Sequence, residues 1–211
     1  MSLRARFVRG LAGQLGRPEG LRGRMVGRLL NRGNRRAVVA AIEATGLQAG
    51  QVGADIGFGG GLGLGLMLER VGAEGRVQGV ELSQTMLTGA QRHYRPEVTA
   101  GRLVLRSGEL GRLPLADQEV DGLITVNTLY FVEDLAAAFR ELARVLKPSG
   151  CAVVGVADPA FMAGLPVTAY GFRIRPPEEL VSGLEDAGLT VRHERVGDDD
   201  RAFHLLLASH R

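Results

Sequence analysis

The sequence predicts an α/β fold: a doubly wound, mostly parallel seven-stranded sheet with helices on both faces. Three observations carry that expectation. Strand-like and helix-like stretches alternate from residue 37 to 188, which calls for parallel strands joined by crossover helices. An apolar run ending in Asp55 leads into glycines at 57, 59, 60, 61, 63 and 65, and then into a Leu/Met/Glu-rich helical segment to Arg70. Finally, two apolar stretches, 191–196 and 202–209, flank Gly197-Asp-Asp-Asp200. They read as a C-terminal β-hairpin that adds one antiparallel strand.

The elements follow in order. Residues 1–20 lack sustained periodicity and carry Gly10, Gly13, Gly16, Pro18 and Gly20, the pattern of a loose arm. Apolar residues at 21, 25, 26, 29 and 30 form a helical stripe. Asn31-Arg-Gly-Asn34 is expected to interrupt it before a second helix, which uses Val38, Ala41, Ile42 and Thr45 and stops at Gly46. Val77–Glu81 reads as a strand ending in an acid, and Ser83 as the N-cap of a helix using Met86, Leu87 and Ala90. Leu103–Leu105 and Val120–Asn127 are further strands. The clearest helix has apolar positions 135, 138, 139, 142, 145 and 146, and Lys147-Pro-Ser-Gly150 is expected to stop it in a turn. Cys151–Ala157 is continuously apolar, as a strand covered on both faces must be. Pro176-Pro-Glu-Glu opens a last helix, with proline and acids suited to its first turn, and Gly188 ends it.

Composition bounds the function classes. The length suits one domain with a real core. A single cysteine, Cys151, excludes an internal disulfide framework and a multi-cysteine metal cluster. Four histidines show no metal-ligand spacing, so no metal is expected. No apolar run approaches the ~18 residues of a membrane span, and the N-terminus lacks a signal-peptide core, so a cytoplasmic location is expected. Residues 1–36 hold ten arginines and one acid, Glu19, a local balance of +9 in a chain of net charge +3. The remainder is therefore net negative. This divides the chain into a basic N-terminal arm and lid helix, 1–36, and a ligand-binding domain, 37–211. The arm is able to meet an anionic surface or nucleic acid, or simply to solvate one helix face.

Acids cluster where such a sheet binds ligands. Asp55, Glu81, Glu109, Asn127 and Asp158 each lie at or just past a strand's carboxyl end. The loop does not fit a dinucleotide. Every frame of G-x-G-x-x-G fails, because Leu62, Leu64 and Leu66 stand where the third glycine belongs.

What is present is Asp55-x-Gly57-x-Gly59-x-Gly61. With Glu81 ending the second strand, Gly108-Glu109-Leu110 before Leu113-Pro114, and Arg144-Val-Leu-Lys-Pro-Ser-Gly150, it resembles the class I S-adenosylmethionine-dependent methyltransferases over roughly residues 37–158. The nearest subgroup is the small-molecule enzymes of ubiquinone and menaquinone biosynthesis. The resemblance implies a Rossmann-like fold and S-adenosylmethionine as donor, with S-adenosylhomocysteine as product. It implies cofactor contacts at Asp55, Gly57, Phe58, Gly59, Gly61, Glu81, Leu82, Gly108, Glu109, Leu110 and Asn127. Glu81 would hold the ribose hydroxyls and Glu109 would accept from the adenine amino group. The sequence departs from the family pattern at Gly53-Ala54, Phe58, Glu109 and Ser149.

The acceptor is expected to be a small, moderately hydrophobic molecule, methylated by in-line displacement under a lid built from the arm and residues 159–175. Tyr130 and Asp158 are the candidates for direct chemistry; each also has a plainer reading, as a packed aromatic and a turn opener. Asn31, Asn34, Tyr130, Phe161 and Tyr170 are the candidates for substrate contact. Two other outcomes stay open: cyclisation or non-catalytic cofactor binding on the same fold, and methylation of RNA or a lipid head group through the basic arm.

Overall fold

A computed structural model describes residues 20–198 and 202–211, with side chains described from Arg32 onward. The expected arm and the side chain of Asn31 lie outside the described residues. Seven strands form one sheet: β1 (Val52–Ile56), β2 (Arg76–Glu81), β3 (Leu103–Ser107), β4 (Val120–Val126), β5 (Leu146–Ala157), β6 (Leu189–Val196) and β7 (Phe203–His210). Their order is β3-β2-β1-β4-β5-β7-β6. All neighbouring pairs from β3 to β5 are parallel, and β7 runs antiparallel to both β5 and β6. The chain reverses its direction of winding between β1 and β4, so a crevice is expected outside their carboxyl ends.

The helices are α1 (Gly20–Ala44), α2 (Leu62–Val71), α3 (Gln84–His93), α4 (Arg95–Thr99), α5 (Leu135–Val145), α6 (Pro159–Ala163) and α7 (Pro177–Asp186). Side chains alternate along the inner strands, and so each strand feeds two cores. Ala152, Val154 and Val156 of β5 join Phe139, Leu142, Leu180 and Leu184 from α5 and α7. Val153 faces the other way, toward Ala41, Ile42, Leu64, Met67 and Leu87 from α1, α2 and α3.

The helices depart from expectation in three places. Helix α1 is continuous through Asn31-Arg-Gly-Asn34. Gly33 weakens a helix by about 1 kcal/mol but does not break it as proline would, and a Cβ at Gly33 would meet nothing. The packing of 37, 38, 41 and 42 onto the sheet sustains the run. Second, Lys147–Gly150 is not a turn between elements. Helix α5 ends where Leu146 turns extended, and β5 already begins there. Leu146 pairs with Val120 and Cys151 with Gly122, leaving the intervening residues as an irregularity within the strand. Third, residues 159–175, to which the sequence reading assigns no element, contain α6 and a 3-10 turn, Pro166–Ala169.

Candidate functional site

Asp55 is buried at the end of β1, and Glu81 is buried at the end of the neighbouring β2. Burial, with Glu81 adding to it, pushes the Asp55 carboxyl up to about 8. Desolvation disfavours the charged form, and a second carboxylate nearby disfavours it further. Gly63 in the first turn of α2 has no room for a side chain, since a Cβ there would collide with Asp55 Oδ2. Glu81 is held differently. Its Oε2 accepts from the Gly59 amide at 2.9 Å and its Oε1 from the Ser83 amide at 2.9 Å. Each carboxylate oxygen keeps a further lone pair for a ligand donor.

The loop between them is shaped by positive φ at Gly57, Gly59 and Gly61. Gly57 donates to the Val80 carbonyl at 2.7 Å, and a Cβ on it would come within 2.6 Å of Thr128 Oγ1. Over Gly59, by contrast, a Cβ would meet nothing. The bare backbone therefore faces open space beside Glu81. Leu82, 48% exposed, is the one large apolar side chain left in the open among the described residues. An acid with free lone pairs, bare glycine backbone and an exposed apolar side chain together fit a nucleoside: its diol, its linker and its base.

The remaining cofactor candidates are less uniform. Glu109 is exposed, and its carbonyl accepts from the Arg112 amide in a short bridge. Gly108 packs against Pro114, where a Cβ would lie 2.6 Å from Cδ. Phe58 and Leu110 have side chains buried in the two cores, so only their backbone is available to a ligand. The resemblance implies a cofactor contact at both positions, and a contact through the backbone is compatible with these buried side chains.

Across the crevice, Asn127 ends β4 in the left-handed region at φ 57. Its Nδ2 donates to Asn34 Oδ1 of α1 at 3.1 Å, and its Oδ1 accepts from the Tyr130 hydroxyl at 3.2 Å and the Ala157 amide at 3.1 Å. The same amide donates to Tyr130 Oη at 2.9 Å. Tyr130 is buried, and burial pushes its phenol up to about 12, the Ala157 amide pulling the other way. A phenol so placed is a poor base. It suits a role in fixing Asn127 and the β4–β5 ends.

Asp158 is engaged too. Its Oδ1 caps α6 by accepting from Ala160 and Phe161, and its Oδ2 faces His204 Nε2 at 3.4 Å and Arg195 Nε at 3.7 Å. Desolvation raises this carboxyl, but the two amides and His204 outweigh it and hold it below its ordinary value. His204 Nδ1 in turn meets His193 Nε2 at 2.8 Å. These histidines sit at the site's edge because β7 runs antiparallel and starts where β5 ends. The antiparallel hairpin expected from the sequence brings them there, in a register that sets Val156 opposite His204.

Beyond Tyr130 lies an aromatic cluster. Phe131 and Phe172 meet edge-on at 4.7 Å, with Tyr130 5.8 Å from Phe172. Phe161 is half-buried against the same core, and Tyr170 is half-buried after the 3-10 turn. Arg32, Arg35 and Arg36 are exposed on α1. Sequence reasoning missed Thr128, which fills the space above Gly57, and Tyr94, whose hydroxyl donates to the Gly61 carbonyl at 2.9 Å. Among the described residues no cluster of three or more His, Cys, Asp or Glu is placed to hold a metal, and no helix is long and apolar enough to cross a membrane.

Comparison with known proteins agrees with this fold. Residues 54–154 match the family described as the methyltransferase domain. A demethylmenaquinone methyltransferase of Roseiflexus castenholzii is 31% identical over 161 residues, covering 62% of this chain and 65% of that one. Against four other curated relatives, 30–35% identical, the matches cover 22–33% of their length. Among solved structures, the methyltransferase bound to a Haloferax volcanii methyltransferase activator superposes with a TM-score of 0.75 at 19% identity, over 88% of this chain and 93% of that one. The cyclase SpnF follows the same fold, with a TM-score of 0.70 at 20% identity over 83% and 80% of the two chains.

Proposed function

Residues 54–154 form a domain of the class I S-adenosylmethionine-dependent methyltransferase family, and on that premise we propose that this chain transfers a methyl group to a small, moderately hydrophobic acceptor. The observation that carries the proposal is Glu81: buried, anchored on the Gly59 and Ser83 amides, and flanked by bare glycine backbone and exposed Leu82. In this reading Glu81 takes the ribose diol, Leu82 underlies the adenine, and the exposed Glu109 accepts from its amino group. Asp55 lines the loop beneath, together with Gly57, Gly59 and Gly61.

S-adenosylmethionine supplies an activated methyl on a sulfonium, open to in-line displacement. The protein's part is to hold donor and acceptor in line and to exclude water, which lowers the barrier by several kcal/mol through proximity alone. Phe131, Phe161, Phe172 and Tyr170 supply an apolar wall for the acceptor. Tyr130 and Asn34 fix Asn127 at the rim, and α1 with residues 159–175 covers the site. Neither Tyr130 nor Asp158 acts as a strong base in this arrangement, so acceptors that need little deprotonation in the transition state are favoured.

A thermal shift with S-adenosylmethionine, S-adenosylhomocysteine and NAD in parallel tests the cofactor. A ligand at a hundred times its Kd adds about 2.7 kcal/mol of stability. A shift with NAD and none with the other two sinks the proposal. The engagement of Tyr130 and Asp158 also favours a second reading, in which the cofactor is bound without methyl transfer. Candidate acceptors incubated with S-adenosylmethionine separate the two: a product heavier by one methyl, together with S-adenosylhomocysteine, supports transfer.

A further inference from the structure

Helix α3 touches the glycine loop from both of its ends. At its start, Ser83 shares the Glu81 carboxylate with Gly59. At its end, Tyr94 occupies the junction between α3 and α4, where neither helix draws on its side chain for capping. The ring instead reaches back to α2. Its hydroxyl donates to the Gly61 carbonyl at 2.9 Å, and a Cβ on Gly61 would lie 3.5 Å from Cε2. The same hydroxyl lies over Gly65, where a Cβ would come within 2.7 Å of it. Burial raises the phenol above its ordinary value, while the Gly65 amide beside it pulls the other way. Gly65 stands outside the acid-x-Gly-x-Gly-x-Gly motif, and a glycine inside a helix is unfavourable unless something requires it. The Tyr94 hydroxyl is that requirement.

We infer that Tyr94 is a positioning residue: its hydroxyl clasps Gly61 and the first turns of α2, holding the glycine loop in the shape that receives the cofactor. This rests on the proposed cofactor reading. Gly61 carries φ 81 as the N-cap of α2, so the orientation of its peptide aims the amides of the loop and of the helix start. An untethered loop samples other orientations, and the cofactor must then select the binding-competent one.

Two measurements test the clasp. In Tyr94→Phe the Kd for S-adenosylmethionine by titration calorimetry should rise about five- to tenfold, the worth of one neutral hydrogen bond. The kcat at saturating cofactor should stay within about twofold, because the reacting atoms are untouched. An unchanged Kd in Tyr94→Phe overturns the inference. The second measurement needs no ligand. Gly65→Ala should lower Tm in the wild-type background and raise it in Tyr94→Phe, where the obstructing oxygen is gone and alanine's helix propensity prevails. Equal shifts in the two backgrounds would show that Tyr94 does not occupy the Gly65 face, and overturn the contact. If the wild-type protein binds no S-adenosylmethionine, the cofactor reading fails, and the Tm cycle alone decides the clasp.

Discussion

On the β1–β2 side of the crevice, Asp55 and Glu81 are buried, and Glu81 is braced by main-chain amides with lone pairs to spare. On the β4–β5 side, Asn34, Asn127, Tyr130, Asp158 and His204 bond to one another or to neighbouring backbone. The first side crowds two carboxylates, one of them fixed by main-chain amides, and in the proposed reading it receives hydroxyl and amine donors. The second is a closed polar rim set against an aromatic cluster. The contrast teaches that, on the proposed function, recognition would be concentrated on the donor side, and the acceptor side would work by shape and exclusion of water.

The largest expected effect concerns the crowded acids. Burial, with Glu81 adding to it, pushes the Asp55 carboxyl up to about 8, well above the ordinary carboxylate range. The folded state therefore holds more protons between the two, and stability must fall as pH rises through that window. The slope approaches about 1.4 kcal/mol per pH unit. Urea unfolding of wild type and Asp55→Asn at pH 5 and pH 8 should show a decline, on the order of a few kcal/mol, that the variant lacks. Parallel pH profiles for the two proteins would show that Asp55 is ionised in the fold.

Glu81→Ala comes next. It takes the carboxylate away from the part-buried Gly59 amide and the buried Ser83 amide, where a lost partner costs about 1–3 kcal/mol at a buried donor, and removes the proposed ribose acceptor. Calorimetry should show the Kd for S-adenosylmethionine rising about a hundredfold, or ~2.7 kcal/mol, with a lower urea midpoint. Binding within threefold of wild type would remove the donor-side receptor from the comparison.

Tyr130→Phe probes the closed rim. Loss of its hydroxyl should reduce stability by about 1 kcal/mol and kcat by less than about tenfold, with the shape of the pH–rate profile unchanged. A general base contributes about 10²–10⁴-fold, so a loss of that size with a vanished ionisation limb would make Tyr130 catalytic. The smallest effect is Asn34→Ala, which leaves Asn127 Nδ2 to water at the edge of α1. The KM for the acceptor should rise about two- to threefold, with Tm lowered by one or a few degrees, about the worth of a single partly exposed hydrogen bond. A larger change in cofactor Kd than in acceptor KM would move α1 to the donor side.

Much of the donor side was legible in the chain because it is local. Asp55, the glycines and the start of α2 lie within ten residues, and Glu81 with Ser83 within three. Short-range patterns of apolar residues, caps and glycines are what periodicity reads. Ser83 does cap α3, accepting from the Met86 amide. The acceptor side was less legible. Tyr130 and Asp158 each admit two readings in the sequence, direct chemistry or a packed aromatic and a turn opener, and their partners Ala157 and His204 are distant in sequence. The break expected in α1 is absent, because docking of 37–42 on the sheet outweighs the weak helix propensity of Asn and Gly.

The sequence by itself determined the order of the seven strands and of the main helices between them, the acid-and-glycine register that excludes the dinucleotide fingerprint, and the acids at the strand ends. Only the tertiary structure decided which polar groups stay available. Glu81 keeps free lone pairs while Asp158 is bound to His204, 46 residues away. Tyr94 reaches Gly61 across 33 residues, a contact that no window of periodicity spans. Whether a side chain is free depends on what the fold packs beside it, and that neighbour comes from the crossover of the chain between β1 and β4 and from the antiparallel return of β7.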